Sequence, residues 1–361
     1  MNRRNALKLT AAAVAGALSG IHVRAEERPL RVLILGGTGF IGPHFVETLR
    51  AQRHTLTLFN RGKRNASLFP DIETRHGDRN GQLQALETGT WDVVIDNSGY
   101  VPRHVRLSAE LLKDRVQRYI FISSISAYAD LSKPNIDEDY PTAKLDDPSV
   151  EEVNGETYGG LKALCEQVVE ETYGERATII RPTYIVGPGD PTDRFTYWPV
   201  RVARGGEVLA PGTAQDPIQF IDVRDLAQFV GECVRRGIVG RYNLCNRPRE
   251  VTMGALLETA QRISKSDARF VWADQAFLEA NGALERGEVP IWWPTSGEYA
   301  GAALVSPDRA IAKGLRFRDV ATTVADTLAW HRTRPPEQQQ KLRAGLTPER
   351  EAELLSKLKK A

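Results

Sequence analysis

Apolar positions fall into short runs separated by polar turns that carry glycine and proline. Leu30-Arg31-Val32-Leu33-Ile34-Leu35 is bounded by Pro29 and Gly36, which predicts a buried strand of a parallel sheet. Phe45, Val46 and Leu49 then follow at helical spacing. Further strands are predicted at 55–59, 74–76, 93–95, 119–122 and 177–180, with helical segments between several of them, including 108–112. Alternation of this kind predicts an α/β fold with a doubly wound parallel sheet. The second half is less regular. Residues 130–154 form a polar, acidic loop with three prolines, and 187–193 another loop of glycine and proline. Helical spacing returns at 223–235, at 252–263 with Thr252 as N-cap, and at 319–331. Residues 332–361 read as a polar tail, in which Thr347-Pro348-Glu349 opens a short helix.

Charge changes the picture at the N-terminus. The chain has 48 Lys and Arg against 46 Asp and Glu, a formal +2. Arg3, Arg4, Lys8 and Arg24 supply four positive charges within residues 1–25, which hold no acid, so −2 is left for the rest. A nearly neutral body carries no electrostatic footprint for nucleic acid. The basic start, the weakly apolar run 9–20 and Val23-Arg24-Ala25 follow the plan of an export signal. Arg3-Arg4 followed by Leu7-Lys8 is similar to a twin-arginine signal, with Ala6 where a larger apolar residue is usual. The expectation is export to the periplasm or beyond, cleavage near Ala25, and transient contact with the twin-arginine machinery. The remaining organisation is a dinucleotide-binding core over 26–182, a substrate lobe with late core elements over 183–331, and the tail.

The first strand runs into Gly36-Gly37-Thr38-Gly39-Phe40-Ile41-Gly42. Glycines three apart after a strand and before a helix allow a tight turn, close approach of a pyrophosphate and close helix packing. The helix N-terminus then presents free N–H groups to phosphate. This places Gly36, Thr38, Gly39, Phe40, Ile41 and Gly42 at a cofactor on a Rossmann-type core. The second strand ends in Asn60-Arg61-Gly62-Lys63-Arg64, with no carboxylate. Arg61 and Lys63 there suit a 2′-phosphate, so NADP(H) is the expected cofactor and NAD(H) the alternative; a solvated basic turn is the plain reading. Asp78, Asn97 and Ser98 follow the third and fourth strands along the same path.

Tyr158-Gly159-Gly160-Leu161-Lys162 places a phenol and an ammonium four apart on one helix face. An ammonium beside a phenol favours phenolate, so Tyr158 becomes a proton carrier near neutrality. The fifth strand ends in Ser123-Ser124-Ile125-Ser126-Ala127-Tyr128, where a hydroxyl sits at the rim of the cleft.

In this order, the glycine loop, Ser124, Tyr158 and Lys162 resemble the extended short-chain dehydrogenase/reductases, and more narrowly the NAD-dependent epimerase/dehydratase family. Arg181-Pro182-Thr183-Tyr184-Ile185-Val186-Gly187-Pro188-Gly189-Asp190 and Gln219-Phe220-Ile221-Asp222-Val223-Arg224-Asp225 are similar to later segments of that family. The resemblance covers residues 30–330. It implies Ser124, Tyr158 and Lys162 as catalytic residues, with Lys162 also on the cofactor ribose. It places Pro182 at the cofactor and Ser126 and Tyr184 at the substrate. Ile125 and Ser126 stand where the family's dehydratases carry Asp-Glu, which argues against water removal. Thr183-Tyr184 and Ile218 stand where nucleotide-sugar epimerases carry Asn and Arg, which argues against a diphosphate-linked sugar.

The implied function is hydride transfer at a hydroxyl or carbonyl carbon of a small sugar- or polyol-like substrate, as reduction, oxidation or epimerisation. Two alternatives are a sensor that binds the cofactor without turnover, and an RNA-binding relative of the chloroplast stem-loop-binding proteins, which resemble the same family. Tyr197, Trp198, Trp292 and Trp293 either stack against sugar or pack the small lobe. The six histidines are scattered without metal-ligand spacing. Cys165, Cys233 and Cys245 read as buried thiols, with a Cys233–Cys245 pair in an oxidising compartment as the alternative.

Overall fold

The computed structural model describes residues 28–285 and 287–360; the export-signal reading of residues 1–25 lies outside them. In chain order the elements are β1 Arg31–Leu35, α1 Ile41–Ala51, β2 Thr55–Asn60, β3 Glu73–His76, β4 Trp91–Asp96, α2 Pro102–Leu112, β5 Val116–Ile122, α3 Tyr158–Tyr173 and β6 Ala177–Pro182. The second half continues with β7 Tyr184–Val186, α4 Tyr197–Ala203, β8 Glu207–Pro211, β9 Phe220–Asp222, α5 Val223–Arg236, β10 Gly240–Leu244, α6 Met253–Ser264 and β11 Arg269–Ala273. It ends with α7 Gln275–Ala280, α8 Asp308–Ala312, α9 Val320–Arg332, α10 Pro336–Gln340 and α11 Pro348–Leu358.

Seven strands form a parallel sheet in the order β10-β6-β5-β4-β1-β2-β3. Strand side chains alternate between faces. Val32 and Ile34 of β1 therefore pack with Phe45, Val46 and Leu49 of α1 and with Phe229 and Val230 of α5. Leu33 and Leu35 pack on the other face with Val105 and Leu112 of α2 and Cys165 and Val168 of α3. This two-sided cover is why β1 reads as a continuous apolar run. Strand order reverses between β1 and β4, and the cleft opens at the carboxyl ends of the strands there.

A second apolar cluster joins α4, β8, α6 and α9, with β8 paired to β11. Two expectations change here. Gly240–Leu244, which did not read as a strand, extends the main sheet beside β6. The segment read as a polar tail is packed: Leu346, Leu354 and Leu355 join the second cluster. Glu351 of α11 is buried, pairs with Arg201 and accepts the Leu209 N–H at 3.0 Å. The Thr347 hydroxyl caps α11 by accepting the Arg350 N–H.

Candidate active site

The cleft has a volume of about 1850 Å³, and every residue expected from sequence at cofactor or substrate lines it except Lys162. Gly36 and Gly37 have φ of +117° and +101°, so the turn after β1 needs glycine. A Cβ on Gly42 would lie 2.4 Å from the Gly37 backbone, so α1 starts in direct contact with that turn. A Cβ on Gly39 would meet nothing within 4 Å, which leaves open space before α1. No side chain caps α1, so its first amides remain available. Bare backbone, open space and free N–H groups fit a pyrophosphate.

The end of β2 is less simple than its sequence. Asn60 Oδ1 accepts the Gly62 N–H at 2.8 Å, while Asn60 Nδ2 is buried without a partner among the described residues. Arg61 is exposed, and Asp78 from the turn after β3 stands 4.0 Å away. A carboxylate absent from the β2 end in sequence thus reaches Arg61 in space.

Below this rim lies a buried ion pair that sequence reading missed. Arg79 donates to both Asp96 oxygens at 2.6 and 2.7 Å and to Ser108 Oγ at 2.7 Å. Tyr119 donates to Asp96 at 2.7 Å, and Asp96 accepts the Ser98 N–H at 3.1 Å. Ser98 Oγ also donates to the Leu35 carbonyl at 3.0 Å. The pair therefore fixes the Asn97-Ser98 turn beside the glycine loop. Its signal in the sequence is an acid closing the apolar run Val93-Val94-Ile95.

Ser124 lies two residues beyond β5 and caps the turn Ile125–Ala127, accepting the Ser126 N–H at 3.1 Å and donating to Ser126 Oγ at 3.1 Å. Tyr158 is the first residue of α3, whose approach is set by Gly159 and Gly160. A Cβ on Gly159 would fall 2.2 Å from the Ser126 carbonyl oxygen, and one on Gly160 would fall 2.5 Å from Leu145. Gly159 lets α3 press onto the serine turn, and Gly160 lets it press onto Leu145. Burial, and then neighbouring Tyr100, raise the Tyr158 pKa above the usual phenol value; a Ser124 hydrogen bond and the charge of Arg194 oppose this.

Lys162 departs from expectation. It is buried behind the cleft wall and donates to the Gly99 carbonyl at 2.8 Å and the Ile122 carbonyl at 2.7 Å. Its ammonium also sits 4.4 Å from the centre of the Phe121 ring. Burial pushes its pKa down to about 8. The expected lowering of the Tyr158 pKa by Lys162 is therefore not seen. Two strong carbonyl acceptors hold the ammonium, and the charge of Arg194 is among those that favour the phenolate.

The aromatic residues divide. Tyr197, Trp198 and Trp292 are buried packing. Trp293 lines the cleft, stacked on Tyr184 at 5.6 Å and on Tyr299 at 5.1 Å. Tyr299 and Arg194 were not singled out in the sequence. Cys165, Cys233 and Cys245 are free and buried, and burial pushes the Cys165 thiol up to about 12. Among the described residues, no group of three or more His, Cys, Asp or Glu is placed to hold a metal ion. No described helix is long and apolar enough to cross a membrane.

Residues 101–245 match the sequence model of the NAD dependent epimerase/dehydratase family. A curated relative, the chloroplast stem-loop binding protein of 41 kDa b of Arabidopsis thaliana, is 29% identical over 217 residues. That match takes in 55% of this chain and 53% of the relative, so the chain spans about half the relative's length. The enzyme WbmG of Bordetella bronchiseptica, solved with NAD and UDP, superposes with a TM-score of 0.63 at 15% identity, over 84% of this chain and 96% of that one. UDP-glucose 4-epimerase of Thermotoga maritima, solved with UDP-glucose, gives 0.60 at 16% identity, over 84% and 98%. RMD of Pseudomonas aeruginosa, complexed with NADPH, gives 0.58 at 18% identity, over 83% and 98%. At these identities the structures establish a shared fold. The sequence pattern of the NAD dependent epimerase/dehydratase family is matched within residues 101–245.

Proposed function

We propose that this chain is an NAD(P)-dependent oxidoreductase or epimerase acting on a hydroxyl or carbonyl carbon of a small sugar- or polyol-like substrate. The observation that carries this reading is the meeting of Ser124 and Tyr158 at the carboxyl end of β5, in one cleft with the open glycine loop. A nicotinamide dinucleotide, when bound, supplies the hydride acceptor or donor. Tyr158 Oη exchanges the proton of the substrate oxygen, and Ser124 Oγ orients that oxygen. The raised Tyr158 pKa keeps the phenol protonated at neutral pH, ready to donate; lowering it for proton removal falls to charges that face the cleft. Lys162 has two protons committed to carbonyls, which holds Gly99 and Ile122, and the strand end behind the site, in place. A role on the ribose requires this side chain to turn outward.

NADP(H) preference rests on Arg61 and Lys63. The nearby Asp78 competes for Arg61, so the preference is smaller than an unopposed guanidinium would give. Export in folded form, with cofactor aboard, rests on Arg3-Arg4; Arg3→Lys with Arg4→Lys should leave the precursor in the cytoplasm, and normal export of that variant would remove the route. Interconversion or hydride exchange of the protein with a panel of sugars and polyols, followed by mass and by 340 nm absorbance, tests the reaction. Turnover that Tyr158→Phe removes supports it, and turnover unaffected by that change contradicts it.

The relative's name favours a second reading, binding of an RNA stem-loop without hydride chemistry. Arg61, Lys63 and Arg64 at the cleft rim would be its contacts. Retarded migration of an RNA hairpin, lost on changing these three to Ala, would favour it over the first.

A further inference from the structure

The substrate side of the cleft contains a guanidinium set up for a partner that the protein does not supply. Thr192 Oγ1 donates to Asp190 and accepts from Arg194 Nε at 3.1 Å. Arg194 Cζ lies 4.7 Å from the centre of the Tyr184 ring. Nε is pinned and the plane is held over an aromatic ring, while Nη1 and Nη2 have no hydrogen-bond partner among the described residues. No carboxylate of those residues lies within ion-pair distance of it. Arg79, Arg181 and Arg334, the well-buried arginines, each hold a carboxylate: Asp96, Glu166 and Asp193. Arg194 is half-buried, lines the cleft and acts electrostatically on Tyr158.

We propose that Arg194 anchors an acidic group of the substrate, so that the cleft takes a small sugar- or polyol-like molecule bearing one oxyanion group, a carboxylate or a phosphate monoester. This rests on the reading of the cleft given above and adds the substrate's charge. A neutral ligand closing over Arg194 would strip water from a charge and return nothing, whereas an oxyanion fits the free fork with two parallel N–H bonds. The Tyr184, Trp293 and Tyr299 stack supplies an apolar wall beside that fork for the C–H face of a ring.

Calorimetric titration tests this with D-glucuronate, D-glucose 6-phosphate, D-glucose and UDP-glucose. The titrated proteins are the wild type, Arg194→Met and Arg194→Lys, each with bound NADP+. At least one of the two acids should bind more tightly than glucose, and which one does so identifies carboxylate or phosphate. Arg194→Met should weaken that acid about 10- to 100-fold with unchanged NADP+ affinity, and Arg194→Lys should restore part of the loss. The proposal is overturned if glucose matches the acids, if UDP-glucose alone binds, if none binds, or if Arg194→Met binds the acid as the wild type does. Binding is read without turnover, so absent hydride transfer would sink the catalytic reading and leave this result standing.

Discussion

The two sides of the cleft are built differently. On the side of β1 and β2 the surface is largely backbone: positive-φ glycines, an uncapped helix start and strand ends fixed by the sheet. On the side of β7 and the loops after it, the surface is side chains drawn from distant segments. Tyr184, Arg194, Trp293 and Tyr299 meet there, with Arg343 and Gly345 from the C-terminal stretch. Backbone geometry serves any chain that binds the same pyrophosphate, whereas assembled side chains define one ligand. In the proposed function the first side therefore takes the cofactor, and the second the substrate. Tyr158 and Ser124 lie on the seam.

Breaking the seam should have the largest effect. Tyr158→Phe removes the proposed proton carrier and should lower turnover about 10²- to 10⁴-fold, with dinucleotide affinity retained in a fluorescence titration. Loss of both would place Tyr158 in the cofactor side instead. The next effect belongs to the floor of the backbone-built side. Asp96→Ala leaves Arg79 buried and unpaired and should cost about 3–5 kcal/mol in urea unfolding. A loss under about 1 kcal/mol would show that Arg79 finds other partners.

Lys162 tests how the seam is supported. Its folded pKa of about 8 lies below the unfolded value of 10.5. Between these values the unfolded chain holds the proton that the folded chain has lost. The penalty of the buried charge is thus complete below pH 8 and is relieved as pH rises toward 10.5. Relative to Lys162→Met, the wild type should gain about 2 kcal/mol of stability between pH 7 and 9.5. A wild type that loses ground over that range would mean the ammonium is stabilised where it lies. The smallest effect is expected at the rim. Arg61→Ala should weaken NADP(H) by about 1.5 kcal/mol, the low end for a charged hydrogen bond, because Asp78 already engages the guanidinium. Equal weakening of NAD(H) would show that Arg61 does not read the 2′-phosphate.

The same contrast explains what could be read from sequence. The glycine loop, the strands around it and the Tyr158 helix are local patterns of period or spacing, legible without knowledge of tertiary contacts. β10 was not legible because it contributes only Tyr242 and Leu244 as large apolar side chains, alternating with Arg241 and Asn243. α11 reads as tail because its buried stripe is narrow and surrounded by charge, and its buried Glu351 is satisfied by Arg201, 150 residues away. Lys162 was placed by its spacing from Tyr158, but its ammonium is directed by carbonyls that no spacing encodes. The Arg194 fork and the Trp293 stack depend on loops meeting in space, so their residue types alone carried no signal.

In the proposed function the backbone-built side holds a nicotinamide dinucleotide. Calorimetric titration of the purified chain with NADPH and with NADH tests it most directly, with Gly42→Ala as the control in which α1 must move off the glycine turn. The expected result is saturable binding with one site per chain, tighter for NADPH, and sharply weakened in Gly42→Ala while the protein remains folded by circular dichroism. Absence of binding for both dinucleotides in the wild type would contradict it.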